Sequence, residues 1–342
     1  MIINLILIFI LIILINNVFK KNNLISSVSS SSHQNFVNES VQLTGGLFII
    51  FPFIFLLIDN SFEVLIFYIL IFFIGILSDL DILSSPKKRF LIQFFIVIFF
   101  AIYLKLEVLP TRIEIIDNKF SNTYVSFLFT GFCLMVLMNG SNFIDGLNGL
   151  SLGYFLLVLF FLHKLGLYEI IELEDKKILL CIYILCFILI LNFLNYLFLG
   201  DSGAYSLSFI IGYILINAYQ NSVDISPYYI ILLLWYPCFE NLFSIIRKLI
   251  NKKNPINPDT NHLHQFIYIF FQKKIKLSSL LSNNLSSVLI NFFNFIILYA
   301  GSKNINHTFF QLKLLVFSIL IYILVYYFLS NLIRKEKLKH SF

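Results

Sequence analysis

Asn139-Gly-Ser-Asn142-Phe-Ile-Asp145-Gly146-Leu-Asn148-Gly149-Leu150 sets three carboxamides, one carboxylate and three glycines into an otherwise apolar run. If the stretch is helical, about 100° per residue places Asn139, Asn142, Asp145, Gly146 and Gly149 within an arc of about 120°. Such a face offers acceptors and amides beside bare backbone that a ligand can approach; the plainer reading is a polar helix–helix contact. A second cluster, Gly75-Ile-Leu-Ser78-Asp79-Leu-Asp81, runs into Ser84-Ser85-Pro86-Lys87-Lys88-Arg89 and Gln93. Its carboxylates can hold a metal or take a proton, and its cations can hold phosphate. The basic triplet could equally serve topology alone. In Phe198-Leu-Gly200-Asp201-Ser-Gly203, an Asp between glycines at a helix start would leave its carboxylate exposed and backbone N–H groups free. That suits Mg²⁺ and phosphate together, with a simple N-cap as the alternative. Glu240 inside an apolar run costs about 2.5–3.5 kcal/mol unless partnered or wet. His262 and His264 stand at i, i+2 and so lack the spacing of a helical zinc pair. A loop presenting imidazoles to phosphate fits better, with solvated histidines as the alternative.

These groups must be positioned by membrane helices. The 342 residues are 59% hydrophobic, 18% aromatic and only 12% charged, against about 25% charged in soluble domains. Mean hydropathy is +0.90. The expectation is one all-α polytopic domain over 1–342, not a soluble pair of domains, with the lipid bilayer as partner and no nucleic acid. Compositional bias accounts for many of the Asn and Lys residues. The four cysteines sit in apolar segments without a C-x-x-C and read as core residues. Residues 2–15 lack a basic leader and a small-residue cleavage site, so they read as a retained first span.

Apolar runs near 2–18, 45–59, 61–77, 90–104, 123–139, 147–163, 177–193, 203–219, 228–246, 284–300 and 310–330 predict eleven spans. With the N-terminus outside, sixteen of the 24 basic residues fall on the inside, and every polar cluster lies at an inside helix end. The Ser-rich segment 26–32 reads as a flexible cytoplasmic linker and 331–342 as a cytoplasmic tail. There is no internal repeat to support an inverted-repeat transporter.

From Thr44-Gly45-Gly46 to Gln265, the clusters resemble, in order, those of the polyprenyl-phosphate N-acetylhexosamine-1-phosphate transferase superfamily, of glycosyltransferase family 4 type. The resemblance implies attack of undecaprenyl phosphate on the β-phosphorus of a UDP-N-acetylhexosamine, releasing UMP. It also implies Mg²⁺ (with Mn²⁺ as a substitute), the bacterial cytoplasmic membrane with the site facing the cytoplasm, and members that can form homodimers. Asn139, Asn142 and Asp145 match N-x-x-N-x-x-D-G, which implies substrate binding for Asn139, Mg²⁺ for Asn142 and the catalytic centre for Asp145. Asp201 matches a metal ligand, and Phe198 an aromatic that stacks on uracil. Lys88 matches a diphosphate-binding base, and Gln93 a recurrent glutamine. His262 and His264 match catalytic histidines near the phosphates, and Glu240 matches an acid after a proline. Ser78-Asp79 replaces a pair of aspartates, leaving Asp79 alone as base toward the lipid phosphate. Asn148 replaces an aspartate that faces uracil, and Gln265 replaces a third histidine while keeping its hydrogen bonding. The basic, proline-rich stretch usual before Gly45-Gly46 is missing. The variants point to O-antigen or capsule synthesis rather than to the phospho-N-acetylmuramoyl-pentapeptide transferases of peptidoglycan. The rival classes are a transporter or channel, a non-catalytic relative and an acyltransferase. Carboxylates at helix ends beside basic loops, not at mid-membrane, argue against the first.

Overall fold

The computed structural model describes residues 2–26, 41–59, 61–108, 110–120, 122–222, 224–255 and 259–339. Most of the Ser-rich linker, residues 256–258 of the last cluster and the end of the tail lie outside them. The described residues form thirteen α-helices and no strand: α1 (Ile2–Lys21), α2 (Gly45–Leu57), α3 (Phe62–Asp79), α4 (Pro86–Tyr103), α5 (Glu114–Lys119), α6 (Thr123–Ile144), α7 (Leu150–Lys164), α8 (Asp175–Phe193), α9 (Gly200–Gln220), α10 (Pro227–Ile250), α11 (Leu263–Lys273), α12 (Ser279–Gly301) and α13 (Thr308–Lys339). Each of the eleven apolar runs falls on one of these helices. Among the described residues, seven helices (α1, α3, α6, α8, α10, α12 and α13) are long and apolar enough to cross a membrane. Helices α2 and α7 are apolar but shorter, α4 opens on Lys87, Lys88 and Arg89, and α9 is diluted by Ser, Gly, Asn and Tyr. Exposed Ile and Leu along α1, and Val316, Phe317, Leu320 and Leu324 along α13, give the outer apolar surface that lipid requires.

The polar helix α9 is the one the others enclose. It packs against α2, α3, α6, α7 and α10, and is buried almost end to end. Its small residues let neighbouring backbones approach. A Cβ on Gly75 of α3 would lie 2.6 Å from the Ser202 nitrogen, and one on Gly46 of α2 2.5 Å from that of Gly203. Ser206 and Ser208 are satisfied inside the bundle by donating to the carbonyls of Ser202 and Ala204, each at 2.6 Å.

Helix α6 is fixed between α9 and α10. Ser141 donates to the Ala204 carbonyl at 3.0 Å, and Asn241 to the Val136 carbonyl at 2.9 Å. Pro237 removes the N–H that would have bonded the Leu233 carbonyl four residues back. The Tyr154 hydroxyl takes that carbonyl at 2.9 Å. Gly140 fits against α10 at this point, since a Cβ there would strike the Pro237 carbonyl.

The stretch 139–150 is not one helix. Helix α6 ends at Ile144, Asp145 is its C-cap, and Gly149 begins α7 with φ +72°. The expected single polar face is therefore replaced by a break, because Gly146 and Gly149 favour a turn over continued helix. Asn139 turns its amide back to the Met135 carbonyl at 2.8 Å.

Candidate active site

The first turn of α9 gathers side chains from three other elements at one end of the bundle. Asp79, the last residue of α3, accepts the N–H of Asp201 at 2.8 Å and of Ser202 at 3.0 Å. It therefore caps α9 from outside, and Asp201, expected to be exposed with free N–H groups around it, is partly buried under that cap. Gly200 has φ +74°, and a Cβ there would lie 2.8 Å from an Asp79 oxygen, so glycine is required on both counts. The cap also bears on the expectation of Asp79 as base, since both of its oxygens already accept backbone N–H groups.

Asp201 is the most heavily bonded carboxylate here. It accepts from the Ser78 hydroxyl at 2.6 Å, from Arg89 at 2.8 Å and from the Asn142 amide. Arg89 also contacts Ser78 and lies 5.9 Å from the centre of the Tyr205 ring. Asp145, at the end of α6, is pushed well above the usual carboxylate range, first by burial and then by Asp201 and Asp79; a bond from the Gly200 N–H offsets part of this. Three carboxylates thus share one low-dielectric corner, with Arg89 and the positive end of α9 as counter-charge.

That crowding fits a hard divalent cation in kind, since carboxylate and carboxamide oxygens are its preferred donors. Asp201 and Asn142 are the pair that would hold it, and its charge would relieve the repulsion on Asp145. Among the described residues, no three His, Cys, Asp or Glu side chains stand together at ligand spacing. The Asp201 oxygens are instead engaged by Arg89, Ser78 and Asn142.

Arg89, not Lys88, reaches the site. Lys88 is exposed and forms no ion pair among the described residues. The signal lay in helical periodicity, because the buried face of α4 is Gln93, Val97, Phe100 and Ala101, and one turn back from Gln93 falls on Arg89. Gln93 is itself buried at 1% exposure.

The remaining expected residues are placed by structural bonds. Asn148 donates its side-chain amide to Asn195 at 2.5 Å and its backbone N–H to Asn283 at 2.7 Å. Asn192 accepts the Gly149 N–H at 2.6 Å, and Asn291 donates to the Gly149 carbonyl at 3.0 Å. These asparagines, which composition alone could explain, hold the turn between α6 and α7. Phe198 is buried at 1% exposure and presents no ring face to solvent, while its carbonyl accepts the Gly45 N–H at 2.9 Å. Gln265 accepts the His262 N–H at 3.2 Å in a capping box at the start of α11.

His262 does not present a free imidazole. Its Nδ1 bonds Glu240 at 2.8 Å and its Nε2 lies 3.3 Å from Asp259. His264 stacks on it with ring centroids 5.4 Å apart, and Phe143, beside Asn142, lies 5.5 Å away. The histidine segment thus adjoins the 139–150 stretch. Burial disfavours charge on His262, but the bonds to Asp259 and Glu240 outweigh it and raise the imidazole above its usual value. Stabilisation from a raised imidazole is complete below its unfolded value of about 6.5 and is lost as pH climbs through the folded value. Thermal scans in detergent are expected to show a midpoint that falls as pH rises above about 6.5, and a flatter profile for His262→Gln.

The comparisons with known proteins cover the same region of the chain. Residues 61–219 match the model of glycosyl transferase family 4, the span that holds Asp79, Arg89, Asn142, Asp145 and Asp201. That match and the relatives below support the superfamily of polyprenyl-phosphate sugar-1-phosphate transferases for this chain. Among its relatives, a Bacillus subtilis (strain 168) protein named "Probable undecaprenyl-phosphate N-acetylglucosaminyl 1-phosphate transferase" is 28% identical over 212 residues, 59% of this chain and 56% of its own length. The "Undecaprenyl-phosphate alpha-N-acetylglucosaminyl 1-phosphate transferase" of Thermotoga maritima is 28% identical over 253 residues, covering 70% of this chain and 74% of that one. A "Phospho-N-acetylmuramoyl-pentapeptide-transferase" of Prochlorococcus marinus (strain MIT 9301) is 29% identical over 222 residues, 57% of this chain and 61% of its own length.

Proposed function

We propose that this protein transfers a sugar-1-phosphate, of the N-acetylhexosamine class, from a UDP-sugar to undecaprenyl phosphate in a bacterial cytoplasmic membrane. The observation that carries the reading is the convergence of Asp145, Asp201, Asn142 and Arg89 on the first turn of α9, at the end of the bundle where the basic loops lie. A phosphate monoester is largely dianionic near neutral pH, its second pKa being about 6. Its oxygen can therefore attack the β-phosphorus without a strong base, and the bond to UMP breaks as the new diphosphate forms. Two anionic substrates must then be brought together and their charge offset, so positioning and electrostatics carry most of the burden. Arg89 is placed to meet a phosphate while still paired with Asp201, and the helix N-terminus adds its partial positive charge. Mg²⁺ held by Asp201 and Asn142 would neutralise diphosphate charge. Envelope polysaccharide synthesis, of the O-antigen or capsule kind, is the pathway class that consumes such a product.

Purified protein mixed with undecaprenyl phosphate, Mg²⁺ and a panel of UDP-sugars tests the reading. The panel should include UDP-N-acetylglucosamine and UDP-N-acetylmuramoyl-pentapeptide. UMP release is expected with at least one N-acetylhexosamine donor, and the preferred donor separates polysaccharide initiation from peptidoglycan synthesis. Chelation by EDTA is expected to stop release, with Mg²⁺ or Mn²⁺ restoring it. Release that persists through chelation would overturn the metal assignment.

A further inference from the structure

The segment that carries His262 is held in place by a helix far outside the 44–265 motif region. On α13, the Tyr322 hydroxyl donates to Glu240 Oε2 at 2.7 Å. Glu240 Oε1 is bonded to His262 Nδ1 at 2.8 Å, and His262 Nε2 lies 3.3 Å from Asp259. Asp259 then closes on Arg247 of α10 through two contacts, at 2.7 and 3.1 Å. One turn further along α13, the Tyr326 hydroxyl donates to the Asn261 carbonyl at 3.2 Å. Two tyrosines at i, i+4 therefore grip both ends of one chain: Tyr322 through Glu240, and Tyr326 directly on the backbone. Glu240 is 1% exposed, so each of its oxygens needs its donor, and Tyr322 supplies one of the two.

We propose that Tyr322 is a positioning residue, which through Glu240 and His262 fixes segment 259–264 against the site and so sets the affinity for the nucleotide-sugar donor. The inference rests on the transfer reaction proposed above. The donor is water-soluble and must enter from the aqueous end, where this polar segment lies beside Phe143. The lipid acceptor arrives along the bilayer, and α4, which carries Arg89 and exposes Phe90, Leu91, Phe95 and Phe99, offers it an apolar face away from this segment.

Tyr322→Phe tests this, because the ring contacts with Phe239 and Phe243, at 5.0 and 5.4 Å between centroids, survive the change. Loss of a bond to a buried carboxylate is expected to raise the KM for the UDP-sugar about tenfold. The KM for undecaprenyl phosphate should stay within about twofold. Trypsin offers a second readout, since Lys252 and Lys253 are exposed in the same loop; cleavage after them in detergent should become several-fold faster. Tyr326→Phe should shift both measurements in the same direction, and serves if Tyr322→Phe does not yield folded protein. Unchanged donor KM with unchanged cleavage overturns the proposal, as does an equal rise in both KM values. If the wild-type protein releases no UMP from any donor, the reaction itself is wrong. The cleavage rate then decides the positioning role, and an unaltered rate overturns it.

Discussion

Asp201→Asn is expected to lower UMP release by on the order of 10²–10³-fold while leaving the fold intact. The substitution keeps the shape of the side chain but removes the charge to which Ser78, Arg89 and Asn142 are all directed. Its new NH₂ group would face at least one of three donors, so Arg89 would lose its tether and the pair assigned to Mg²⁺ would be reduced to two amides. Asp81→Asn provides the control. Asp81 lies two residues beyond Asp79 but is exposed, so its loss should leave turnover near that of the wild type. Turnover should be measured beside a thermal midpoint for each variant. A drop for Asp201→Asn that merely follows a fall in midpoint would mean that the carboxylate serves the fold instead.

Gly75→Ala is the second large effect, and it should act on the fold. The added methyl carbon would lie 2.6 Å from the Ser202 nitrogen and 2.9 Å from the Asp201 carbonyl carbon, closer than real contacts allow. Both obstacles are backbone, so relief requires α3 and α9 to separate, and Asp79 would then be drawn off the α9 N-terminus that it caps. Overpacking of this kind costs about 1–3 kcal/mol or more, and loss of the cap adds about 1 kcal/mol. Together these should reduce folded yield severely in detergent size-exclusion profiles. Gly166→Ala is the comparison: φ there is +65°, but the nearest atom would be 3.8 Å away, so only the backbone strain remains. Equal yields for the two variants would contradict the close α3–α9 packing described here.

Hydropathy finds what faces lipid, and so all eleven apolar runs coincide with helices. It says little about α9, whose serines and glycines read as a weak span although it is the most enclosed helix. Those residues are small for the sake of close packing, and their hydroxyls bond their own helix. The clusters around Asp79, Asp145 and Asp201 were legible because polar groups are costly in such surroundings. Their division of labour was not. That Asp79 caps α9 depends on a contact between residues 122 positions apart, which no local spacing records. Lys88 and Arg89 are neighbours in sequence, and only the periodicity of the buried face of α4 separates them. His262 and Asn148 carry residue types suited to ligands, yet the groups that engage them are Glu240 of α10 and Asp259 before α11 for the one, and Asn195 after α8 and Asn283 of α12 for the other. Tyr322 gave no signal at all, being one tyrosine among 18 on an apolar helix.

The central claim is that phosphorus moves with the sugar, and the fate of a labelled β-phosphate tests it most directly. Protein in detergent would be given undecaprenyl phosphate and the active UDP-sugar, with one label on the β-phosphorus and another on the uridine. The account predicts that the β-phosphate label and the sugar enter the lipid extract together while uridine stays in the aqueous phase as UMP. Recovery of the β-phosphate label in aqueous UDP, with sugar alone in the lipid, would contradict it.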